Sequence, residues 1–168
     1  LDNFETVKIN AVLIGGEGEA EIPRMVELSR ELPVEVRFIE LMPIGECAHW
    51  PEGRFIPNTR VLEVVPELEP CGSSGVARLY SLPNAKGRVG LISPLSSHFC
   101  PECNRIRITP DGRLKPCLHS AQEIELRGLR GAELDAKLME GICAKPMRHH
   151  LSAVSPSESL RGMSRIGG

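Results

Sequence analysis

Three cysteines, Cys100, Cys103 and Cys117, follow the spacing C-x2-C-x13-C. The third can reach the first two only if the residues between them fold back on themselves. Residues 105–108 (Arg-Ile-Arg-Ile) alternate like a strand, residues 109–112 contain an Asp-Gly turn signal, and residues 113–115 lead back. The sequence therefore predicts a hairpin that gathers three thiolates at one point.

Two kinds of metal centre agree with three thiolates. A structural zinc site has four ligands, so it needs one more from elsewhere in the chain. An iron–sulfur cluster usually takes four cysteines, so three would leave one iron of a [4Fe–4S] cluster open for a substrate. The spacing on its own favours zinc, and both interpretations stay open at this point. The candidates for a fourth zinc ligand are His98, His119, Cys143 and Cys71.

Two arginines, Arg105 and Arg107, directly follow the second cysteine. Residues two apart lie on the same face of a strand, so both guanidinium groups are predicted to point toward whatever binds beside the metal. Their forked donors suit phosphate, and a structural zinc site does not need them. The alternative is an ordinary solvated strand face.

Composition limits the classes of function. The chain has 168 residues, 41% of them hydrophobic and 25% charged, which is typical of a globular protein with a core of its own. The net charge of −2 and the few aromatic residues argue against a nucleic-acid partner. No apolar run approaches the roughly 20 residues of a membrane span. The six cysteines suggest no disulfide framework, so a reducing, cytoplasmic location is expected.

The elements that must position these residues can be outlined from periodicity. Residues 6–14 predict a buried strand, residues 21–32 a helix with Pro23 in its first turn, and residues 34–41 a second strand parallel to the first. Residues 59–65 predict a short helix capped by Asn58, and residues 66–75 a loop. Two strands, 76–82 and 88–93, are predicted to form a hairpin, and residues 132–143 a helix. The expected inner face of that last helix consists of Leu134, Leu138, Met139 and Ile142.

The cysteine segment resembles a known motif. Residues 99–118 closely resemble the C-terminal cluster motif of the radical-SAM GTP 3′,8-cyclases, a family that opens molybdenum cofactor biosynthesis. Residues 7–14, 36–45 and 165–168 are similar to other segments of that family. The family's N-terminal C-x3-C-x2-C motif, which holds the SAM-cleaving cluster, does not occur in these residues. The chain also starts without methionine, so it is expected to be the C-terminal half of a longer polypeptide.

The resemblance implies a fold and a domain division. The expected class is α/β, with the last βαβ part of an incomplete (βα)6 TIM-type barrel followed by an α+β C-terminal iron–sulfur subdomain. Residues 1–46 would belong to the barrel. Residues 47–168 would form the substrate-binding [4Fe–4S] domain with a Gly-Gly tail.

The resemblance also implies an activity. The whole enzyme would be a lyase that converts GTP to (8S)-3′,8-cyclo-7,8-dihydroguanosine 5′-triphosphate, using a [4Fe–4S] cluster and S-adenosyl-L-methionine (SAM). This chain alone would be inactive, because its partner is the N-terminal radical-SAM half. A homodimer and a downstream cyclic pyranopterin synthase are further expected partners, with no nucleic acid and no membrane. The rival interpretations are a non-enzymatic zinc-binding module and another radical-SAM enzyme whose auxiliary cluster transfers electrons.

Residue roles carried over from the family fall into four groups. The metal ligands would be Cys100, Cys103 and Cys117, the GTP contacts Lys8, Arg37, Arg105 and Arg107, the SAM contacts Asn10 and Met42, and the catalytic tail Arg165, Gly167 and Gly168. The tail has little apolar mass and is expected to be mobile and to support no core. No function is assigned to Cys47 or Cys71, Cys143 is expected to be a small core residue on the apolar face of its helix, and a surface or packing role is expected for His149 and His150.

Overall fold

The computed structural model describes residues 3–166, so Gly167 and Gly168 of the predicted tail lie outside the described residues. The chain divides into two compact units. The first contains the residues up to Leu41 together with Pro51–Phe99, and the second contains Met42–Trp50 and the chain from Cys100 onward. Within the described part of the chain, no helix is both long enough and apolar enough to cross a membrane.

The first unit begins with the predicted βαβ arrangement. Strand β1 spans Val7–Leu13, helix α1 spans Ile22–Glu31 and strand β2 spans Val34–Glu40. The two strands pair in parallel, which confirms that prediction. Helix α1 has Pro near its start and buries Ile22, Val26 and Ser29, which lie on one face of the helix.

Strand β1 differs from the prediction of a buried strand. Its residues alternate between half-buried and exposed positions, and Lys8, Asn10 and Val12 are exposed. In the described structure β1 lies at the end of the sheet and pairs only with β2. One of its faces therefore lacks a covering layer, and the polar residues of β1 occupy that face.

Three more strands extend this sheet. Helix α2 spans Thr59–Val64, and strands β3, β4 and β5 span Glu69–Ser74, Ala77–Ser81 and Arg88–Ile92. The strand order is β1-β2-β5-β4-β3, with β5 parallel to β2 and antiparallel to β4. The predicted β4–β5 hairpin is confirmed. The predicted loop at residues 66–75 is wrong, because its polar, Gly-containing sequence is held as a strand by pairing with β4.

The five-stranded sheet is mixed and open over the described residues, which form no barrel. Its helix-covered face packs the main core, in which Val36, Phe38 and Val89 contact residues of α1 and α2 such as Val26 and Val61. The chain is therefore a mixed α/β protein, as expected, whereas the barrel geometry is not observed.

A buried carboxylate ties the loops of this unit to the end of β2. Glu40 is 1% exposed and accepts hydrogen bonds from the backbone amides of Asn58 (3.0 Å), Leu95 (2.8 Å) and Ser96 (3.0 Å), and from the Ser96 hydroxyl. Asn58 stands at the start of α2, but its side chain does not cap the helix as predicted. Its side-chain amide donates instead to the carbonyls of Phe38 and Ile92. A buried charge is tolerated here because its hydrogen bonds replace water.

The second unit is built around a small antiparallel sheet of order β6-β7-β8. Strands β6, β7 and β8 span Arg107–Ile108, Arg113–Lys115 and Ile124–Glu125, and helix α3 spans Gly131–Cys143. Short 3-10 helices add local turns to this unit at Gly45–His49, Cys100–Glu102 and Met163–Arg165. Those of the first unit lie at Glu19–Glu21 and Glu52–Arg54.

The buried face of α3 is only partly as predicted. Leu134 and Leu138 pack against a core of β7 and β8, but Met139 and Ile142 are exposed. The expectation that Cys143 is a core residue is also wrong, because its side chain at the end of α3 is exposed. The third inward position is Gly141, where an added Cβ would lie 2.0 Å from the Leu114 side chain. Positions 134, 138 and 141 follow helical spacing, so the close approach of the helix depends on the glycine rather than on larger neighbours.

Candidate metal centre

The turn of the predicted hairpin forms between β6 and β7. The amide of Thr109 donates to the Arg113 carbonyl at 2.8 Å, and the amide of Gly112 donates to the Thr109 carbonyl at 2.9 Å. Gly112 has φ +80°, a conformation that glycine adopts readily. The Thr109 hydroxyl accepts from the Arg113 amide at 3.0 Å. The Asp-Gly turn signal thus predicted the hairpin correctly.

The hairpin brings the cysteine segments to its open end. Cys100 and Cys103 flank a tight turn in which the Cys103 amide donates to the Cys100 carbonyl at 3.2 Å. Arg107 pairs with Lys115, so the chain that leaves Cys103 runs beside the chain that leads to Cys117. All three thiols are free and half-buried. All three belong to the second unit, so one small unit supplies the three candidate ligands.

The spacing of the sulfurs bears on the kind of centre. Among the described residues, the sulfurs of Cys100, Cys103 and Cys117 do not form a set that lies within 4.8 Å of one another throughout. Thiolates on one zinc ion lie about 2.3 Å from the metal, which keeps them closer together than that. A cluster that offers each cysteine a separate iron accommodates wider spacing.

A lysine that the sequence analysis missed joins the two sides of the hairpin at this end. Lys145, just beyond α3, donates from Nζ to the carbonyls of Arg105 (2.7 Å) and Pro116 (3.2 Å). Pro116 directly precedes Cys117, so the ammonium group fixes the backbone next to the third thiol. The sequence offered only a lysine before a proline, which is too common a pair to signal this role.

The two predicted phosphate-binding arginines differ in their surroundings. Strand β6 contains only Arg107 and Ile108, so Arg105 lies before it and the predicted shared strand face is not formed. The reason is that the Arg105 carbonyl accepts from Lys145 instead of joining a strand ladder. Arg105 is exposed and Arg107 is half-buried.

A cavity of about 210 Å³ opens beside Cys117. His119 is buried and its ring meets that of His149 edge to face, with 4.6 Å between the ring centroids. This contact agrees with the packing role expected for His149. Arg148 and His150 add basic side chains to the wall, whose remaining members include Ser120, Ser155 and Ser157. The wall also contains Glu158, Leu151 and two prolines, so the cavity is of mixed character and lies beside one of the three thiols.

An ionic cluster lies at the turn end of the hairpin. Arg161 contacts both carboxylate oxygens of Asp111 at 2.8 Å and those of Glu123 at 2.6 and 2.8 Å. Its guanidinium, followed by the Thr109 hydroxyl, holds the pKa of Asp111 well below the usual range, and it lowers the pKa of Glu123 as well. Glu123 and Asp111 raise the pKa of Arg161 in return. Since both carboxyl pKa values are lowered, these ion pairs stabilise the fold above about pH 4 and are lost in stronger acid.

Glu123 also has a buried partner. The side chain of Lys115 is fully buried in β7, with its ammonium 3.5 Å from Glu123 and 2.7 Å from the Ser120 carbonyl that accepts its hydrogen bond. Alternation along a strand predicts one buried face, whereas the adjacent Leu114 and Lys115 of β7 are both fully buried.

The first unit holds a separate set of predicted residues. Lys8, Asn10 and Arg37 share the sheet face opposite the helices, because Lys8 pairs with Glu35 and Asn10 pairs with Arg37. Arg37 forms an ion pair with Glu35 and donates to the Ser74 hydroxyl at 3.1 Å. Gly90 leaves room for it, since a Cβ there would lie 3.0 Å from Arg37 Cγ. The sequence analysis assigned no role to Glu35. The signal that could have found it is the spacing of residues 35 and 37, which places both on the same face of a strand.

Residues 157–166, called the C-terminal segment below, lie against the loop that follows β2. The Ser157 amide donates to the Pro43 carbonyl at 3.0 Å, and a Cβ on Gly45 would lie 3.0 Å from Gly162 Cα. Met42, the predicted SAM contact, is half-buried at the start of this loop. Ile166 is fully buried while Arg165 is exposed. The expectation that the tail supports no core is therefore wrong for Ile166.

Comparison with known proteins identifies relatives. Residues 34–151 match the family model Molybdenum Cofactor Synthesis C. Three proteins named GTP 3′,8-cyclase align with nearly the whole chain. That of Alkaliphilus metalliredigens is 50% identical over 169 residues, covering 96% of this chain and 52% of the relative. That of Alkaliphilus oremlandii is 48% identical over 167 residues (96% and 52%), and that of Clostridium acetobutylicum is 44% identical over 170 residues (99% and 54%).

The chain thus spans about half the length of the curated relatives that it matches. The matched family segment includes the three cysteines, the hairpin and α3. These matches confirm the resemblance predicted from the sequence motifs. The chain belongs to the Molybdenum Cofactor Synthesis C family and is a homologue of the C-terminal half of GTP 3′,8-cyclases.

Proposed function

We propose that this chain is the cluster-bearing half of a radical-SAM enzyme that converts GTP to (8S)-3′,8-cyclo-7,8-dihydroguanosine 5′-triphosphate. The reaction would be a step of molybdenum cofactor biosynthesis and would need the N-terminal half, with its SAM-cleaving cluster and the rest of an incomplete barrel. The observation that carries the proposal is the arrangement of three free, half-buried thiols at the open end of one hairpin, in a chain of this family.

Cys100, Cys103 and Cys117 would hold a [4Fe–4S] cluster, and the donor set fits it. Three soft thiolates suit iron–sulfur chemistry. When bound, the cluster would supply an open iron that a guanine nitrogen or oxygen can ligate. Lys145 would keep the Cys117 backbone in place through its bond to the Pro116 carbonyl.

The basic residues would bind and orient the nucleotide. The cavity beside Cys117, with Arg148 and three histidines on its wall, offers space for part of GTP next to the metal centre. Arg105 and Arg107 would neutralise phosphate charge through forked hydrogen bonds. Holding the ribose in a reactive orientation is then the main contribution of the protein to catalysis.

Further contacts would come from the sheet and the tail. On the open sheet face, Lys8 and Arg37 would meet the triphosphate or SAM, and Asn10 would line the SAM site. Arg37 already pairs with Glu35, so a phosphate would have to compete with or join that pair. Met42 would contact SAM through its backbone, and Arg165, Gly167 and Gly168 would complete the active site.

Anaerobic reconstitution of this chain tests the metal centre. About four irons and four sulfides should bind, with the absorption of an iron–sulfur cluster, and Cys117→Ala should abolish binding. Cys143→Ala is the matched control, because Cys143 is exposed in the same unit and should not affect iron content. Stoichiometric zinc with three sulfurs and one nitrogen would overturn the proposal and indicate a zinc module with His119 as fourth ligand.

Substrate binding separates the proposal from an electron-transfer cluster. Addition of GTP to the reconstituted full-length enzyme should change the electron paramagnetic resonance spectrum of the reduced C-terminal cluster, because the nucleotide ligates its open iron. A spectrum that stays unchanged at saturating GTP would favour the electron-transfer alternative.

A further inference from the structure

Arg161 attaches the C-terminal segment to the hairpin of strands β6 and β7, which leads to Cys117 and is called the cluster hairpin below. Four contacts of 2.6–2.8 Å join the Arg161 guanidinium to the carboxylates of Asp111 and Glu123. All three nitrogens of the planar fork are used, so two carboxylates are bound at once. A lysine ammonium at this position could not reproduce that geometry.

Both carboxylates lie next to strands of the sheet whose strand β7 leads to the third cysteine. Asp111 lies in the β6–β7 turn and Glu123 directly precedes β8. Glu123 is fixed in turn by the fully buried Lys115 of β7, two residues before Cys117. Arg161 therefore connects the C-terminal segment to the same strand that leads to the metal ligand.

The chain after Arg161 is held at a defined place. Gly162 lies against Gly45, residues Met163–Arg165 form a 3-10 turn, and Ile166 is fully buried. Arg161 is thus followed by five described residues, 162–166, the last of which is buried.

Apolar contacts alone would not order this segment. Leu160 is 96% exposed and Met163 is 37% exposed, so Ile166 is the main apolar group that the described part of the segment buries. Ordering each backbone residue costs about 1–2 kcal/mol. The paired charges of Arg161 and the backbone bonds near it are the interactions available to offset that cost.

We propose that Arg161 is a positioning residue that docks the C-terminal tail on the cluster hairpin, so that the tail end reaches the substrate. The inference rests on the proposed function, because it assigns the tail a part in the reaction. Arg161 itself contacts neither substrate nor metal ligand. Its role is to hold residues 162–166, Arg165 among them, in place against the hairpin.

The test uses the full-length enzyme with Arg161→Gln, Arg161→Lys and the control Arg113→Gln. Arg113 approaches the same two carboxylates, at 3.6 and 3.9 Å, but belongs to β7 rather than to the tail. Hydrogen exchange of residues 162–166 measures docking, iron content and melting temperature measure the fold, and kcat and KM for GTP measure function.

Arg161→Gln should accelerate exchange in residues 162–166 and lower kcat by about 10- to 100-fold, because the tail is misplaced, while iron content stays unchanged. Arg161→Lys should give intermediate exchange and an intermediate kcat, because an ammonium retains charge but not the fork. Arg113→Gln should leave tail exchange and kcat close to those of the parent enzyme.

Several results would overturn the proposal. Unchanged tail exchange in Arg161→Gln would mean that other contacts dock the tail, and faster exchange with full kcat would mean that docking does not serve the reaction. An equal loss of kcat in Arg113→Gln would assign the effect to the hairpin. A parent enzyme without cyclase activity would refute the proposed function instead, and tail exchange would still decide whether Arg161 docks the tail.

Discussion

Arg105 and Arg107 sit between the second cysteine and the hairpin turn, but only one of them belongs to a strand. Arg107 is half-buried in β6, whereas Arg105 is exposed ahead of it and gives its carbonyl to Lys145. The backbone of Arg105 is therefore fixed while its side chain extends into solvent. Such an arginine can meet an anion without first breaking a structural contact of its backbone.

In the full-length enzyme, we expect Arg105→Ala or Arg107→Ala to weaken binding of GTP more than binding of guanosine. Loss of a charge-assisted hydrogen bond costs about 1.5–3 kcal/mol, or roughly 10- to 100-fold in affinity. Calorimetric titration of both ligands checks this, with Arg24→Ala on the exposed surface of α1 as control. Equal weakening of both ligands would mean that the arginines support the hairpin and do not contact phosphate.

At the scale of elements, helix α3 supports the hairpin from behind through a contact that only glycine permits. An added Cβ at Gly141 would lie 2.0 Å from Leu114 Cδ2 and 2.9 Å from its Cγ. Leu114 is fully buried in β7, so it has little space in which to move. The position of β7, and with it that of Cys117, depends on how closely α3 approaches.

Gly141→Ala should therefore destabilise the second unit, although alanine favours helices. Overpacking of a core costs about 1–3 kcal/mol, and up to about 1 kcal/mol returns as helix propensity. We expect thermal denaturation to show a lower melting temperature, and the reconstituted chain to retain less iron. Gly53→Ala is the matched control, because a Cβ there meets no atom within 4 Å. A variant as stable as the parent would mean that Leu114 can repack.

At the scale of the whole molecule, the C-terminal segment joins parts that are distant in sequence. It contacts the loop after β2 through Pro43 and Gly45, and the cluster hairpin through Asp111 and Glu123. The described part ends with Ile166 buried and Arg165 exposed. The described contacts thus hold the segment as far as Ile166, directly before the two glycines to which the resemblance assigns a role.

Changes at the very end should affect turnover and not the fold. In the full-length enzyme, Gly167→Val, or one bulky residue added after Gly168, should remove most activity, because the proposed function places these glycines in the active site and only glycine lacks a Cβ. Iron content and melting temperature should barely change, since both sites lie beyond the buried Ile166. Turnover of GTP is measured beside both quantities, and full activity in either variant would leave the terminus without a role.

Several elements were predicted correctly from the amino-acid sequence. Parallel β1 and β2, helix α1, the β4–β5 hairpin and the Asp-Gly turn at Gly112 followed from periodicity and turn residues, because these signals act between near neighbours in the chain. The spacing of the three cysteines likewise required a hairpin. Motif similarity then indicated the family, which the comparisons confirmed.

Features that depend on partners distant in the chain became visible only in the folded protein. The segment Glu69–Ser74 becomes a strand because β4 is beside it, and α3 turns Gly141 rather than Met139 inward because Leu114 occupies that side. The roles of Glu40, Lys145 and Arg161 depend on atoms 18 to 56 positions away in the chain. No pattern within a short window encodes such pairings, because their energy arises only when folding brings the partners together.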